Sequence, residues 1–273
     1  MSLCHRSNRN QNTLSELPFW LENFTYSVSD TITLYPVDQL RDLGITVSSD
    51  LSWTTHITGI TNKARQKAAW VLSVFHTRSP TVMLTLYKSM VRSLLEYCSP
   101  LWNPTKIGEI QELESVQKVF TGRIAGAKDL DYWERLQYLS LMSLQRRRER
   151  YIILHMWKIA NGHTTNDIGI EFNSKPRLGL QAVVPSIRRA SSAANQTIRE
   201  SSFSVMGPRL WNCVPYQLTT VNELSIFKNK ITKFLLTVPD KPPIRGYTTA
   251  NSNSILAWRS ERETSSLWGG YKM

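Results

Sequence analysis

The chain lacks most of the features that mark a catalytic, metal-binding or secreted protein. Only three cysteines occur in 273 residues, Cys4, Cys98 and Cys213, and they lie far apart. With no Cys-x-x-Cys pair and no closely spaced histidine pair, neither a structural zinc site nor a disulfide framework can be assembled. Sparse, unpaired cysteine suits a reducing compartment. The glycine-rich phosphate loop, the Gly-x-Ser-x-Gly elbow and the His-Glu-x-x-His helix are all missing. Five histidines (His5, His56, His76, His155, His163) are scattered with no ligand spacing. Asp129 and Asp131 read more simply as helix-entry caps than as a carboxylate pair for two-metal chemistry. No apolar run approaches the ~20 residues of a membrane span. The polar start, Met1 to Asn12, holds no signal-peptide core. These absences lead us to expect a soluble intracellular protein, cytoplasmic or nuclear, with no membrane role, no metal and no cofactor.

Positive charge is the strongest signal that remains. Lysine and arginine total 33 against 21 acids, a net charge of +12. That balance points to an acidic partner, nucleic acid first and an anionic membrane surface second. An apolar content of 41% and an aromatic content of 10% suit a globular protein with a packed core.

The expected fold class is mainly α: a helical bundle with a small N-terminal β segment and a short α/β C-terminal module. Residues 1–17 are polar and expected to be disordered. Residues 18–52 form the β segment, with strands at Phe19 to Val28, Thr31 to Tyr35 and Gln39 to Val47. Gly44, inside the last of these, suggests a bulge or a close backbone approach. So small a sheet is short of strands for independent stability.

From Trp53 the apolar period becomes helical. Ile57, Ile60, Ala64, Ala68, Val71 and Phe75 make one stripe, with Lys63 and Lys67 on another face. Ser79 and Pro80 start the next helix. Its stripe is Met83, Tyr87, Met90, Leu94 and Tyr97, with Thr85, Lys88, Arg92 and Glu96 opposite, and Pro100 closes it. Cys98 reads as a small core residue. A third helix carries Ile110, Leu113, Val116, Phe120 and Ile124. Glu109, Glu112 and Glu114 fall in its first turns, where acids suit the macrodipole. Asp131 and Ser143 are expected to cap the last two helices of a bundle spanning residues 53–162. Residues 163–200 read as a linker with one strand, Leu178 to Val184. Residues 201–238 read as a compact module ending in a helix with Leu224, Phe227, Ile231, Phe234 and Leu235 inward. Residues 239–273 are expected to be a disordered tail.

Arg146, Arg147, Arg148 and Arg150 crowd the start of the fourth long helix. Successive positions point all round a helix, so at least two should face solvent. Two readings stay open: a solvated, capping face, or contact with phosphate.

Several phrases in order resemble the C-terminal part of reverse transcriptases of non-LTR retrotransposons, the jockey-like group in particular. Arg41-Asp42-Leu43-Gly44-Ile45-x-Val47-x-x-Asp50-Leu51-x-Trp53-x-x-His56-Ile57 is similar to the stretch that closes their palm. Leu86-Tyr87-Lys88-x-x-Val91-Arg92-x-x-Leu95-Glu96-Tyr97-Cys98-Ser99-Pro100-x-Trp102 is similar to a thumb helix. Leu113-Glu114-x-Val116-Gln117 and Leu136-x-x-Leu139-x-Leu141-x-Ser143-Leu144-x-x-Arg147-Arg148 continue the thumb and connection region. Phe203-x-x-x-Gly207-x-Arg209-Leu210-Trp211-Asn212, with Val214-Pro215 and Phe227-Lys228, is similar to the tail.

The resemblance implies a thumb-like bundle beside a remnant of a palm sheet, in an RNA-directed DNA polymerase family. That family's polymerase uses palm aspartates, including an adjacent pair, and this chain has no Asp-Asp pair. No catalytic residue carries over, and Mg would belong to the missing palm. The implied object is a truncated, non-catalytic fragment with residual affinity for an RNA or DNA duplex. Its candidate nucleic-acid-binding residues are Lys63, Arg65, Lys67, Lys88, Arg92, Arg146, Arg147, Arg148 and Arg150. The alternative is a helical interaction domain that self-associates through surface bared by the missing palm.

Overall fold

A computed structural model describes residues 26–29, 32–34, 36–175, 179–187, 193–245 and 253–260. The expected disorder of residues 1–17, and the strand expected from Phe19 as far as residue 25, lie outside the described residues. The chain divides into two units, one ending at Ser52 and the other beginning at Trp53.

The first unit holds two antiparallel hairpins. β1 (Tyr26–Ser29) pairs with β2 (Ile32–Leu34), and β3 (Gln39–Asp42) pairs with β4 (Ile45–Ser48). The expected single strand from Gln39 to Val47 is therefore folded on itself. Leu43 and Gly44 both take positive φ, 45° and 85°. Two such residues between paired strands make the turn whose twist matches a hairpin, so Gly44 is a turn residue and not a bulge.

The second unit is helical, as the sequence periods predict. α1 (Thr54–Val74) buries Ile57, Ala64, Ala68 and Val71. Arg78 folds back over its end. Its guanidinium donates to the carbonyls of Leu72 and Thr77 at 2.9 and 3.0 Å, and also to that of Phe75, supplying the final turn with the donors it lacks. α2 (Pro80–Leu86), a π-helical turn (Tyr87–Val91) and α3 (Arg92–Glu96) run on as one helix. The π turn changes the expected stripe. Met83, Tyr87, Val91 and Leu95 are fully buried, while Tyr97 is 54% exposed. A π turn winds more residues per turn than an α-helix, so a spacing of four stays on one face through the bulge. The helix stops at Glu96, and Cys98 sits exposed at φ 51°, not in the core.

α4 (Ile107–Thr121), α5 (Tyr132–Tyr138) and α6 (Leu144–Ala160) complete the bundle. α5 opens on a full capping box. Asp131 Oδ1 accepts from the Glu134 backbone N–H at 2.8 Å, and Glu134 Oε2 accepts from the Asp131 N–H at 2.9 Å. Ser143 caps α6 by accepting the Arg146 N–H at 2.9 Å.

The stretch expected to be a linker with one strand contributes Ile170 and Ala182 to the core, and a strand is present at the expected place, over Gly179–Ala182. β5 (Phe172–Lys175) and β6 (Gly179–Ala182) form a hairpin, followed by α7 (Ala193–Ser201). α8 (Phe203–Trp211), the short α9 (Tyr216–Thr219) and α10 (Leu224–Thr237) follow. Trp157 of α6, Ile170, Ala182, Trp211 of α8 and Phe227 of α10 belong to one buried cluster. The module of residues 201–238 therefore shares its core with the bundle and is not separate from it. Asn212 acts as a substitute strand edge: its Oδ1 accepts from the Ala182 N–H and its Nδ2 donates to the Ala182 carbonyl, both at 2.9 Å. Trp211 Nε1 donates to the Leu180 carbonyl at 2.8 Å. Gly207 is required by close helix packing, since a Cβ there would lie 2.7 Å from Met156 Sδ.

The described part of the tail, residues 239–245 and 253–260, also departs from the expected disorder, while residues 246–252 and 261–273 lie outside the described residues. Ile244 and Ile255 are buried, and residues 255–260 are helical. Asp240 accepts from both the backbone N–H and the hydroxyl of Ser143 at 2.7 Å, which ties the tail to the start of α6. Composition alone hid this, because the polar side chains involved are satisfied inside the fold and not by water.

Candidate nucleic-acid interface

The nine candidate cations divide into an outward and an inward set. Between Asp50 and Glu96 the chain contains no acidic residue. α1 therefore presents Lys63, Arg65 and Lys67 with no carboxylate on the same helix. Lys63 and Lys67, one turn apart, are exposed, as is Lys88 on the π turn. Neither Lys63 nor Lys88 forms an ion pair among the described residues. Lys67 Nζ stands 5.1 Å from the ring centre of Trp70, itself 47% exposed. The outer edge of α1 thus combines ammonium groups that meet no carboxylate among the described residues with a half-exposed aromatic ring. Ammonium groups suit backbone phosphate, and the exposed part of an aromatic ring suits contact with a base. Trp70 did not emerge from the sequence periods. Its signal was there: it lies three residues after Lys67 and off the Ile57–Ala64–Ala68–Val71 stripe.

Arg65 faces α4. Its Nη2 donates to Ser115 Oγ at 3.1 Å, and Nη1 lies 3.6 Å from Glu112 Oε1. The guanidinium remains about half exposed. It borders the candidate interface while joining α1 to α4.

Arg92 and the α6 arginines are largely consumed by the fold. Glu96 is their hub: Arg92 Nε lies 3.5 Å from Glu96 Oε2, and Arg147 makes a two-pronged pair with the same carboxylate, with Nη2 at 3.0 Å from Oε2 and Nε on Oε1. Tyr151 OH donates to Glu96 Oε2 at 3.0 Å. Burial works against the charge on Arg147, but the hydrogen bond and charge of Glu96 outweigh it and raise its pKa. Burial and the nearby Arg147 lower that of Arg92. Arg150 Nε donates to Thr232 on α10 at 2.9 Å.

Arg146 and Arg148 are buried outright, at 1% and 0% exposure, so in this fold neither reaches an external phosphate. Arg146 donates to Glu149 at 3.0 Å and to the carbonyls of Pro239 and Asn253 at 2.9 Å. Glu149 in turn accepts from Ser254 Oγ at 2.6 Å. Arg148 Nε donates to Asn103 Oδ1 at 3.3 Å, while Nη1 and Nη2 find no hydrogen-bond partner among the described residues. Burial lowers its pKa, opposed by the charge of Glu114.

Glu114, placed by its position in α4 among dipole-compensating acids, proves to be a buried acceptor. It takes the Tyr132 hydroxyl at 2.6 Å and the Gln145 N–H at 2.8 Å. Burial raises its pKa, with Arg148 pulling the other way. Gln117 bridges Tyr87 and Tyr132 at 2.8 and 3.0 Å. Six polar residues of the resemblance phrases, Glu96, Glu114, Gln117, Arg147, Arg148 and Asn212, thus connect elements within the fold, while others, Lys88 among them, are exposed.

Among the described residues no group of three or more His, Cys, Asp or Glu side chains converges, and Asp131 is committed to its capping box. No helix among the described residues is long and apolar enough to cross a membrane.

Comparison with known proteins is sparse. No protein family and no solved structure matches the chain. It is 27% identical over 128 residues to an uncharacterized protein of Caenorhabditis elegans, B0403.1. That match covers 46% of this chain and 65% of the nematode protein. The chain therefore spans less than two thirds of the relative it matches.

Proposed function

We propose that this chain is the thumb-like and tail portion of a reverse transcriptase of the non-LTR retrotransposon type, a portion without polymerase chemistry that holds a nucleic acid duplex by its backbone. The observation that carries the reading is the acid-free outer edge of α1, where Lys63, Lys67 and Trp70 face solvent. The ordered sequence phrases supply the family. Shape and backbone charge suffice to hold a template–primer helix, which explains lysines without base-reading motifs. The set of contacts narrows from nine residues to Lys63, Lys67 and Lys88, with Arg65 at the border. Arg92, Arg147 and Arg150 keep partial exposure but are committed to Glu96, Tyr151 and Thr232.

The test is fluorescence anisotropy with a labelled RNA–DNA duplex. Binding at ~50 mM salt that weakens steeply as salt rises supports the reading. Binding absent at that salt, or insensitive to it, overturns it. Changing Lys88 and Arg92 together is a poor probe, because losing Arg92 also disturbs the Glu96 hub; Lys63 and Lys67 are the cleaner pair. A chain that instead self-associates through exposed Trp70 and Val74 would show concentration-dependent sedimentation and no duplex affinity.

A further inference from the structure

A second basic feature lies at the far end of α4. A pocket of about 450 Å³ is lined by Lys118, Arg123, Lys128, Arg135 and Arg245, with Ser115 on its wall and no acidic residue among its lining. Its cations come from α4, the loop after it, α5 and the tail, so the fold and not the local sequence brings them together. Capping of α4 does not account for them. The Lys118 carbonyl already receives the Gly122 N–H at 3.2 Å and Arg135 Nη1 at 3.0 Å. Gly122 is needed for that, since a Cβ there would collide with Arg135 Nη1. Arg123, Lys128 and Arg245 remain, all exposed and without an ion pair among the described residues. Arg123, Lys128 and Arg245, with no acidic residue in the described lining, repel one another until an anion enters, and a concave wall focuses their field. The volume falls in the range of small-molecule sites. Arginine forks match phosphate oxygens in pairs.

We propose that this pocket binds the phosphate groups of a phosphate-bearing ligand, at a site distinct from the outer edge of α1. Ser115 links the two regions, because it lines the pocket and accepts from Arg65. The shared chemistry is a run of two or more phosphates, from a free polyphosphate compound or from a nucleic acid strand.

The experiment is calorimetric titration of the full chain with pyrophosphate. Saturable binding is expected, weakened at least ~10-fold, or about 1.4 kcal/mol, by Arg123→Ala with Lys128→Ala. Both side chains are exposed, so the melting temperature should hold; Arg245→Ala is the second variant should it not. Lys63→Ala with Lys67→Ala should leave pyrophosphate affinity unchanged. Saturating pyrophosphate that displaces a bound duplex assigns the pocket to strand phosphate. A duplex that stays bound while pyrophosphate saturates assigns it to a free phosphate compound. No binding at ~10 mM pyrophosphate, well beyond a millimolar dissociation constant, overturns the proposal. So does equal affinity in wild type and every pocket variant. Loss of the duplex reading would appear separately, in the Lys63 and Lys67 variants.

Discussion

α1 carries Lys63, Arg65 and Lys67 and no acid, while α6 carries Arg146, Arg147, Arg148 and Arg150 around Glu149. The two helices are alike in charge and opposite in its use. On α6 each guanidinium meets a group supplied from elsewhere in the chain: Glu96, Asn103, Thr232 or the carbonyls of the tail. On α1 the lysines meet nothing acidic within reach of their own helix. What separates a committed cation from an available one is therefore the distribution of partners, not the density of charge. A dense run of arginine can be the least available charge in a protein, because its planar, multiply donating head can be satisfied in the interior where an ammonium fits poorly.

The largest effect should come from breaking the inward set. Removing Arg146 or Glu149 by substitution with alanine leaves its buried partner uncompensated. Each should cost ~3–5 kcal/mol in urea unfolding. Lys63→Ala should fall within about 0.5 kcal/mol of wild type, as surface substitutions do. Equal effects at the two sites would erase the distinction.

A second substitution sharpens the inward set further. Arg148 is fully buried with two nitrogens that have no hydrogen-bond partner among the described residues, so its charge is held at a cost. Arg148→Met alone removes the positive charge that favours an ionised Glu114, which keeps its hydrogen bonds from Tyr132 and Gln145. The double change Arg148→Met with Glu114→Gln removes both charges and should lie within ~1 kcal/mol of wild type or above it. A double variant worse than the single one would show that the pair stabilises the fold outright.

Some of this was legible in the sequence and some was not. The helical periods placed α1, α4, α6 and α10, and the caps at Asp131 and Ser143 were readable because capping is local chemistry. The stripe after Tyr87 was misplaced because nothing in Tyr87–Val91 announces a π turn. Glu114 and Arg148 were unreadable because their roles depend on residues from distant segments. The tail was misjudged for the same reason: Asp240 and Asn253 look like loop residues until Ser143, Gln145 and Arg146 are beside them. At the candidate site the sequence located the lysines of α1 but could not separate them from the arginines of α6. That separation is a matter of burial, and burial of a charge is decided by tertiary partners.

A smaller effect concerns pH. Burial raises the pKa of both Glu114 and Glu149 above the ordinary 4.5. In the window just above that value the folded state holds more protons than the unfolded chain, so stability falls as pH rises through it. Unfolding midpoints measured from about pH 5 to pH 7 should drop less in Glu114→Gln than in wild type. Lys63 and Lys67 variants should follow the wild-type profile, since their side chains lie outside this network. A steeper drop in Glu114→Gln would reverse the assignment.

The most direct test of the central claim is the salt dependence of duplex binding in wild type and in Lys63→Glu with Lys67→Glu. The account predicts an unchanged melting temperature, weaker binding at every salt concentration, and a log–log slope shallower by about 2, one for each lost phosphate contact. A variant that folds normally and binds with the wild-type affinity and slope would contradict it, and the outer edge of α1 would then be no more than a solvated face.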